Sequence, residues 1–550
     1  MHLRALAFCV LAVIALPSST RAAAAYTWAH SYGDDASQVL NAVSTDPAGN
    51  VLICGAFYST ITIASTLTSA GEQDGFVAKL DANGNALWNR KIGSVTYDDI
   101  AWDVTSDKDG NVIAGGTMNP LFGVKLGIVK YDPNGTQLWV KTYGPTSTYN
   151  MARFVSTDLA GNIIVAGAFT GIIDFGGGAL EGPDFGNYAM FLLKLDPDGN
   201  HIWSKAFTWH DGTTALGGLE TDAMGNIFLH GQFPGSINFN GGSAFDPAAM
   251  TSNGATDLFL VKFGPDARVL WKNHYGTTAA DNALCLAVTP DGRAAIAQNL
   301  DHAVDFGGGV LTPTGTPQPA VAQFTANGSH VWSKTFTATT SAFAYGITIA
   351  ENKDVVLTVH GTGSINFGGG PVAATGSVYN QFVARFNAAG THRWSFAFGG
   401  DGNVYGLPAV SRGGGVVVAG YTDGAANPGG GALPYEGEND VFVARFGETL
   451  TGVGTSSMMA NLYQNVPNPF NPTTSIPYML EAPAHVKIGI YDVSGSRIAV
   501  LNEGKQTPGV HAAIWNGRDQ SGRAVPSGVY FYRFEGMSDV TASRKMVLLK

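Results

Sequence analysis

Residues able to do chemistry are few in this chain, and they are scattered. The stretch TWHDG (208–212) sets Trp209, His210 and Asp211 side by side in a loop, where an aromatic ring, an imidazole and a carboxylate could contact a ligand such as a sugar. The competing reading is a loop aromatic packed on its own sheet. His201, His330 and His392 each stand two residues before a tryptophan, one per repeat, and are expected as exposed strand positions rather than as a cluster. No serine or cysteine can be paired with a base and no carboxylate pair can be placed, so no catalytic residue is assigned. Acidic turns such as DPDG (196–199) supply two carboxylates, whereas a calcium loop alternates oxygen ligands over about twelve residues. No cofactor is therefore assigned, and calcium is the one metal with a candidate position. Cys54 and Cys285 fall in different repeats and lack metal-ligand spacing. They read as two small hydrophobes in strands, although an export compartment would permit a disulfide.

Composition narrows the class. The chain has 550 residues, 45% apolar and 13% charged, with 72 glycines and 25 prolines. Ample core material, many turn residues and no long helical periodicity point to an all-β protein. A formal charge of −11, which becomes −13 once the two arginines of the leader are removed, argues against a nucleic-acid partner. That leader is residues 1–24: MHLR is a basic start, ALAFCVLAVIAL an apolar run too short to span a bilayer comfortably, and STRAAAA a small-residue cleavage site. Cys9 lies inside the apolar run, so a lipoprotein anchor is not expected. No later stretch has the length and apolarity of a transmembrane helix, so the mature chain is expected to be soluble and extracellular or at the outer cell surface.

The elements that must position any site are repeats, and repeats are sought first because missing them misreads the whole fold. FVAKLDANGNALW (76–88) returns as GIVKYDPNGTQLW, FLLKLDPDGNHIW, FLVKFGPDARVLW, AVAQFTANGSHVW and FVARFNAAGTHRW. Trp28, Trp88, Trp139, Trp203, Trp271, Trp332 and Trp394 mark seven units, and a D-x-x-G-N turn recurs between them. IIDFGGG, SINFNGG, AVDFGGG and SINFGGG add a further strand to four units, giving about four strands per unit. The chain enters at Trp28 without its preceding strand and leaves at FVARFGETL without its following one. Pairing these two ends closes a seven-bladed β-propeller over residues 25–450. The repeated turn has Asp, Pro, Asn or Asp, and Gly in order, which specifies a type I turn with the glycine in the left-handed bulge position. A buried tryptophan removes on the order of 150–250 Å² from water, enough to explain the repetition with no ligand at all.

This region resembles the bacterial seven-bladed beta-propeller repeat family of extracytoplasmic proteins, which implies a fold more than an activity. Gly264 and Gln323 depart from the family's aspartate and basic residue. The spacing also comes close to the tryptophan-docking motif of quinoprotein propellers, but the adjacent cysteines and the calcium site that mark those enzymes are missing here. After a linker at 451–460, residues 461–550 show six or seven strands and look like an Ig-like β-sandwich, with Trp515 and Tyr530 as core or corner aromatics. YQNVPNPFNPTT, IYDVSG and KMVLLK make this segment similar to the type A sorting domain of type IX secretion and to the Ig-like domain of flagellar hook-capping proteins. That resemblance implies a secretion translocon as partner, read through Pro467, Asn468, Pro469, Phe470, Asp492, Gly495, Lys545 and Lys550.

The sequence thus points to an exported, non-enzymatic binding scaffold for a glycan or a protein. A propeller-based glycan hydrolase or lyase is the first alternative, and a purely structural envelope protein the second.

Overall fold

The computed structural model describes residues 24–93, 98–118, 125–145, 150–183, 188–207, 215–240, 249–314, 317–375, 378–411, 414–448, 460–465, 467–480, 483–506, 509–535 and 543–549. The Trp209–His210–Asp211 loop, Lys550, and most of the leader and linker lie outside them. The described chain is all β and contains no helix, hence no helix long and apolar enough to cross a membrane.

Residues 24–448 form a succession of antiparallel four-stranded sheets, the sixth extended by the two-residue strand Ala426–Asn427. The first sheet orders Gln38–Thr45, Val51–Phe57, Asp74–Leu80 and Ala86–Ile92. The seventh runs Val404–Val410, Val416–Thr422 and Asp440–Glu448, and its fourth strand is the N-terminal Ala24–Tyr32, with Trp28 opposite Arg445. First strands touch in the order Gln38–Thr45, Ile100–Ser106, Asn150–Thr157, Ala215–Thr221, Cys285–Val288, Ala342–Ile349 and Val404–Val410, which in turn touches Gln38–Thr45. The DFGGG segments are not members of these sheets, contrary to the expectation above. They fold back as separate two-stranded hairpins, as do Thr60–Thr62 with Thr66–Thr68 in the first unit.

Strand alternation explains why the repeat is so apolar. Phe76, Ala78 and Leu80 pack with Val417, Ala419, Val441 and Val443 of the seventh sheet. Val77, on the opposite face, packs with Val104, Val112, Ala114 and Val129 of the second. Every residue of Asp74–Leu80 is buried, as a strand covered on both faces requires.

The repeated turn closes as the sequence dictates. Gly135 donates its N–H to the Asp132 carbonyl at 2.9 Å and adopts φ 81°, with the strand register slipping by one residue just before the turn. In the preceding sheet Trp88 lies over this turn. A Cβ on Gly135 would sit 2.6 Å from the indole, so glycine is required twice over, by φ and by space. The Trp88 Nε1 donates to the Pro133 carbonyl at 3.1 Å, and Lys79 Nζ donates to the same oxygen at 3.3 Å. Trp139 and Lys130 converge likewise on Pro197, Trp203 and Lys194 on Pro265, Trp271 and Lys262 on Ala326, and Trp28 and Arg445 on Ala82. Each lysine also pairs with the aspartate of its own D-x-x-G-N turn: Lys79 with Asp46, Lys130 with Asp107, Lys194 with Asp158, Lys262 with Asp222, all at 2.8–3.0 Å.

The degenerate fifth unit keeps the basic half of the interaction and redirects the indole. Gln323 replaces the lysine, but Arg293 from the neighbouring turn donates to the Ala388 carbonyl at 3.1 Å, and the Trp332 Nε1 donates to Gln323 Oε1 at 2.9 Å. Trp394 is the exception. The seventh sheet is closed by the chain's two ends and has no hairpin for its indole to reach, and the buried Trp394 Nε1 has no hydrogen-bond partner among the described residues. Trp88, Trp332 and Trp394 are buried, whereas Trp28, Trp139, Trp203 and Trp271 are half-buried.

The C-terminal segment is a separate two-sheet unit. Ala460–Leu462, Thr474–Leu480 and Gly509–Trp515 face Arg497–Gln506, Ala484–Tyr491, Gly528–Phe534 and Ser543–Leu548 across a core containing Ile476, Ile488, Trp515, Tyr532 and Leu548. Tyr530 turns its hydroxyl back onto the Pro526 carbonyl at 2.7 Å, the corner contact expected of an Ig-like sandwich. Tyr463 and Met479 rest on Leu159 and Ala223, at the turn tips of the third and fourth sheets.

Two stability measurements follow from this geometry. Lys130→Met leaves Asp107 buried without its cation and is expected to lower the unfolding free energy by about 3 kcal/mol in a urea titration; a loss below 0.5 kcal/mol would contradict the role given to the pair. Ala267 holds the turn position at φ 60° that glycine holds elsewhere, so Ala267→Gly is expected to gain about 0.5–1 kcal/mol.

Candidate functional site

Repetition identifies what is structural, so a site is sought where the repeats differ. The sixth residue of each second strand is Ala56, Thr117, Ala168, Gln232 and Asn299 in the first five sheets, but His360 and Tyr421 in the last two. In the first strands of those two sheets stand Tyr345 and Tyr405. With Phe343 and Tyr379 they form one cluster of half-buried rings. His360 is its hub, its ring centroid 5.5 Å from Phe343, 5.2 Å from Tyr345, 5.5 Å from Tyr379 and 5.1 Å from Tyr405. Tyr405 stacks on Tyr421 at 5.0 Å with 25° between planes, and meets Tyr345 at 5.8 Å. These residues lie at the strand ends opposite the D-x-x-G-N turns, on the side where the insertion hairpins and the sheet-to-sheet connections emerge.

Burial pushes the His360 imidazole down to about 4, so the hub is neutral near pH 7, and its Nδ1 has no hydrogen-bond partner among the described residues. Burial likewise raises the Tyr345 and Tyr405 phenols above their ordinary value. The cluster is therefore uncharged aromatic surface bearing phenolic hydroxyls. A polar edge adjoins it: Asn403 donates Nδ2 to Asp423 Oδ2 at 2.8 Å and accepts the Tyr379 N–H at 3.0 Å.

Across the first strands from this wall, the second to fourth sheets contribute Asp103, Arg153 and Glu220. Arg153 lies over the Trp102 ring at 4.8 Å, and Asp103 accepts the Val155 and Val104 amides at 2.8 and 2.9 Å. Burial raises the Asp103 carboxyl to about 7 against those hydrogen bonds and the Arg153 charge. Burial and then the Asp103 charge raise Glu220 to about 8. Both residues are half-buried. The sequence placed no carboxylate pair; the fold sets these two carboxyls, from strands more than a hundred residues apart, near enough for the Asp103 charge to act on Glu220. Trp102 and Arg153 occupy the extra residue of a strand bulge, equivalent to Asn41, Gly217 and Tyr345. A bulge aims its side chain out of the ladder.

The histidines read as exposed in the sequence are instead half-buried. His201, His330 and His392 pack over Gly177, Gly308 and Gly369 of their own DFGGG hairpins and hydrogen-bond Ser204, Ser333 and Ser395 at 2.9–3.1 Å. Each stays in its own sheet and fastens its hairpin. Cys54 and Cys285 are free thiols, in contact with the Ala101 and Tyr345 carbonyls. At the turn tips the carboxylates are engaged by local N–H groups. Asp81 accepts the Asn85 side chain and the amides of Asn83 and Asn85, all at 2.8 Å, which holds its carboxyl below the usual range.

In the C-terminal unit the structure joins two of the segments singled out in the sequence. Asn468 Oδ1 accepts the Val547 N–H at 2.8 Å, Phe470 donates to the Val547 carbonyl at 3.0 Å, and Leu549 donates to the Phe470 carbonyl at 2.9 Å. Pro467 offers its carbonyl to Thr474 and Asn465, and the Asn468–Pro469 bond is cis. Asp492 and Gly495 form a separate exposed turn of the D-x-x-G type.

Comparison with known proteins agrees with this division. Residues 470–539 match the FlgD Ig-like domain. A WD repeat-containing protein of Acanthamoeba polyphaga mimivirus is 21% identical over 383 residues, 60% of this chain; the chain spans about a quarter of that relative's length. Among solved structures, a family of polysaccharide lyase acting as an ulvan lyase aligns at TM-score 0.36 and 10% identity, over 71% of this chain and 93% of that one. PorZ, a surface component of the type IX secretion system of Porphyromonas gingivalis, aligns at TM-score 0.25 and 11% identity, over 93% and 81%. Similarity at this level says nothing about activity.

Glu220 supplies a check on the inner polar wall. The folded chain keeps the Glu220 proton up to about pH 8, whereas the unfolded chain releases it near 4.5. The proton is thus lost on unfolding throughout that window, and this group's contribution makes stability fall as pH rises. Glu220→Gln should gain melting temperature relative to the parent steadily from pH 5 to pH 8; a difference that does not change with pH would refute the buried setting of this carboxyl.

Proposed function

We propose that the protein is an exported binding module. Residues 25–450 form a closed seven-bladed propeller whose last blade is completed by the N-terminal strand. Residues 1–24 serve as signal peptide, and residues 461–550 direct secretion and surface attachment or release. The propeller holds a glycan or protein ligand on the side bearing the Phe343, Tyr345, His360, Tyr379, Tyr405 and Tyr421 rings. One observation carries this reading: at the sixth position of the second strand His360 and Tyr421 replace the small and polar residues of the other repeats, and with Tyr345 and Tyr405 they build a ring cluster that stays half-open to solvent. Concave surfaces that combine aromatic walls with a few polar groups are the usual setting of ligand sites. The full-length protein, immobilised and washed with solubilised cell-envelope material, should retain a partner that a Tyr405→Ala/Tyr421→Ala variant releases; equal retention by both would overturn the location.

Asp103 and Glu220, two carboxyls whose pKa values burial raises, favour a second reading, in which the protein is a glycan hydrolase or lyase. Incubation with polysaccharides followed by reducing-end and unsaturated-uronate assays separates the two: turnover lost in Glu220→Gln supports the enzyme, and retention without turnover supports the binding module. Export is tested by mass spectrometry of the mature ends, where an intact leader on an intracellular chain would refute it.

A further inference from the structure

Building on that binding role, we infer that the ligand is a neutral saccharide whose ring stacks on the Tyr405–Tyr421 pair, with Asp423 and Asn403 meeting its hydroxyls. The chemistry of the cluster selects this class over the others. An aromatic cage for a cation needs its centre empty, and here His360 fills it, with four rings within 5.5 Å. A nucleobase could stack on tyrosine, but its phosphates would meet a chain of net charge −11, and no basic side chain faces these rings among the described contacts. An acidic sugar meets the same obstacle in the exposed Asp423 carboxylate beside the Tyr405 phenol.

What remains suits the C–H face of a pyranose. Aromatic faces carry negative potential that attracts weakly positive C–H groups; Tyr405 and Tyr421 spend one face each on the other in a 25° stack, so the face offered to a sugar is the outer one of Tyr421, which meets no further ring among the described residues. The hub keeps the stack in place: His360 and Tyr345 meet Tyr405 at 5.1 and 5.8 Å, and Tyr405 carries Tyr421. Asn403 donates its backbone N–H and its side-chain Nδ2 to the two oxygens of Asp423, which sets a carboxylate and an amide side by side near Tyr405. An adjacent acceptor and donor of this kind can serve two neighbouring hydroxyls. Asp423 is exposed and retains free acceptor capacity, so it can serve a ligand without losing its hold on Asn403.

The test uses the full chain on a printed panel of neutral, uronate and sulfated oligosaccharides, followed by titration calorimetry with the neutral oligosaccharide that is retained. Binding to neutral glycans is expected, with Tyr405→Ala and Tyr421→Ala each weakening it at least tenfold, and Asp423→Ala several-fold, at unchanged melting temperature. Should the alanine variants fold poorly, saturation-transfer NMR on the unaltered protein decides the matter: sugar C–H protons should receive saturation from tyrosine resonances. Selective retention of uronate or sulfated glycans would overturn the inference, as would neutral-glycan binding indifferent to the tyrosine variants. A retained envelope partner destroyed by protease, with every glycan refused, would leave the binding module standing and remove the saccharide. Absence of any binder would remove both.

Discussion

The structure of the repeat region depends on one recurring contact: an indole N–H and a basic side chain from one sheet donating to a single carbonyl in the turn of the next. It links three levels at once. In all but one of these turns a left-handed glycine both closes the turn and leaves room for the indole, and Ala267 takes the same φ under Trp203. The lysine that reaches the carbonyl also neutralises the buried aspartate of its own D-x-x-G-N turn. Neither half stands alone, because a buried lysine without the aspartate, or an aspartate without the lysine, would carry a large desolvation cost. The fifth unit keeps only the basic donor: Arg293 donates to the Ala388 carbonyl as Lys130 does to that of Pro197, while the Trp332 indole turns to Gln323.

Fixing that contact around the ring frees the opposite side of the molecule. The D-x-x-G turns are committed to holding neighbours together, with their carboxylates and carbonyls occupied. The strand ends facing the other way carry insertion hairpins and connections of variable length, and there the side chains vary from unit to unit. Apart from Tyr379, which precedes a third strand, the aromatic wall of the last two sheets and the Asp103, Arg153 and Glu220 side chains of the second to fourth lie on first or second strands, on a scaffold that needs neither. Rigid supports with variable surfaces are where recognition residues accumulate.

Much of this was legible in the sequence. FVAKLDANGNALW fixes strand, turn type and tryptophan by residue chemistry alone, and the split between Trp28 and FVARFGETL anticipates the pairing of Trp28 with Arg445. The sandwich strands of the C-terminal unit could be read almost one by one. The site could not, because it is assembled from different repeats: His360, Tyr405 and Tyr421 are unremarkable in their own segments and meet only when adjacent sheets pack. The signal was present as a departure from the repeat, Ala56 and Ala168 against His360 and Tyr421, and it becomes readable once the units are aligned by strand. His201, His330 and His392 misled for the converse reason. Each belongs to a different repeat and was read as an exposed strand position, but the Gly-rich hairpin of its own unit folds over it, and glycines leave the space.

The claim on which everything else rests is that neighbouring sheets stabilise one another through this docking rather than each standing alone. Amide hydrogen exchange on a chain lacking Ala24–Tyr32, compared with the full chain, tests it most directly. Loss of Trp28 from the Ala82 carbonyl should strip protection from Asp74–Leu80 in the first sheet as well as from Val416–Thr422 in the seventh. Protection lost only from Asp440–Glu448, the direct partner of the missing strand, would contradict the account.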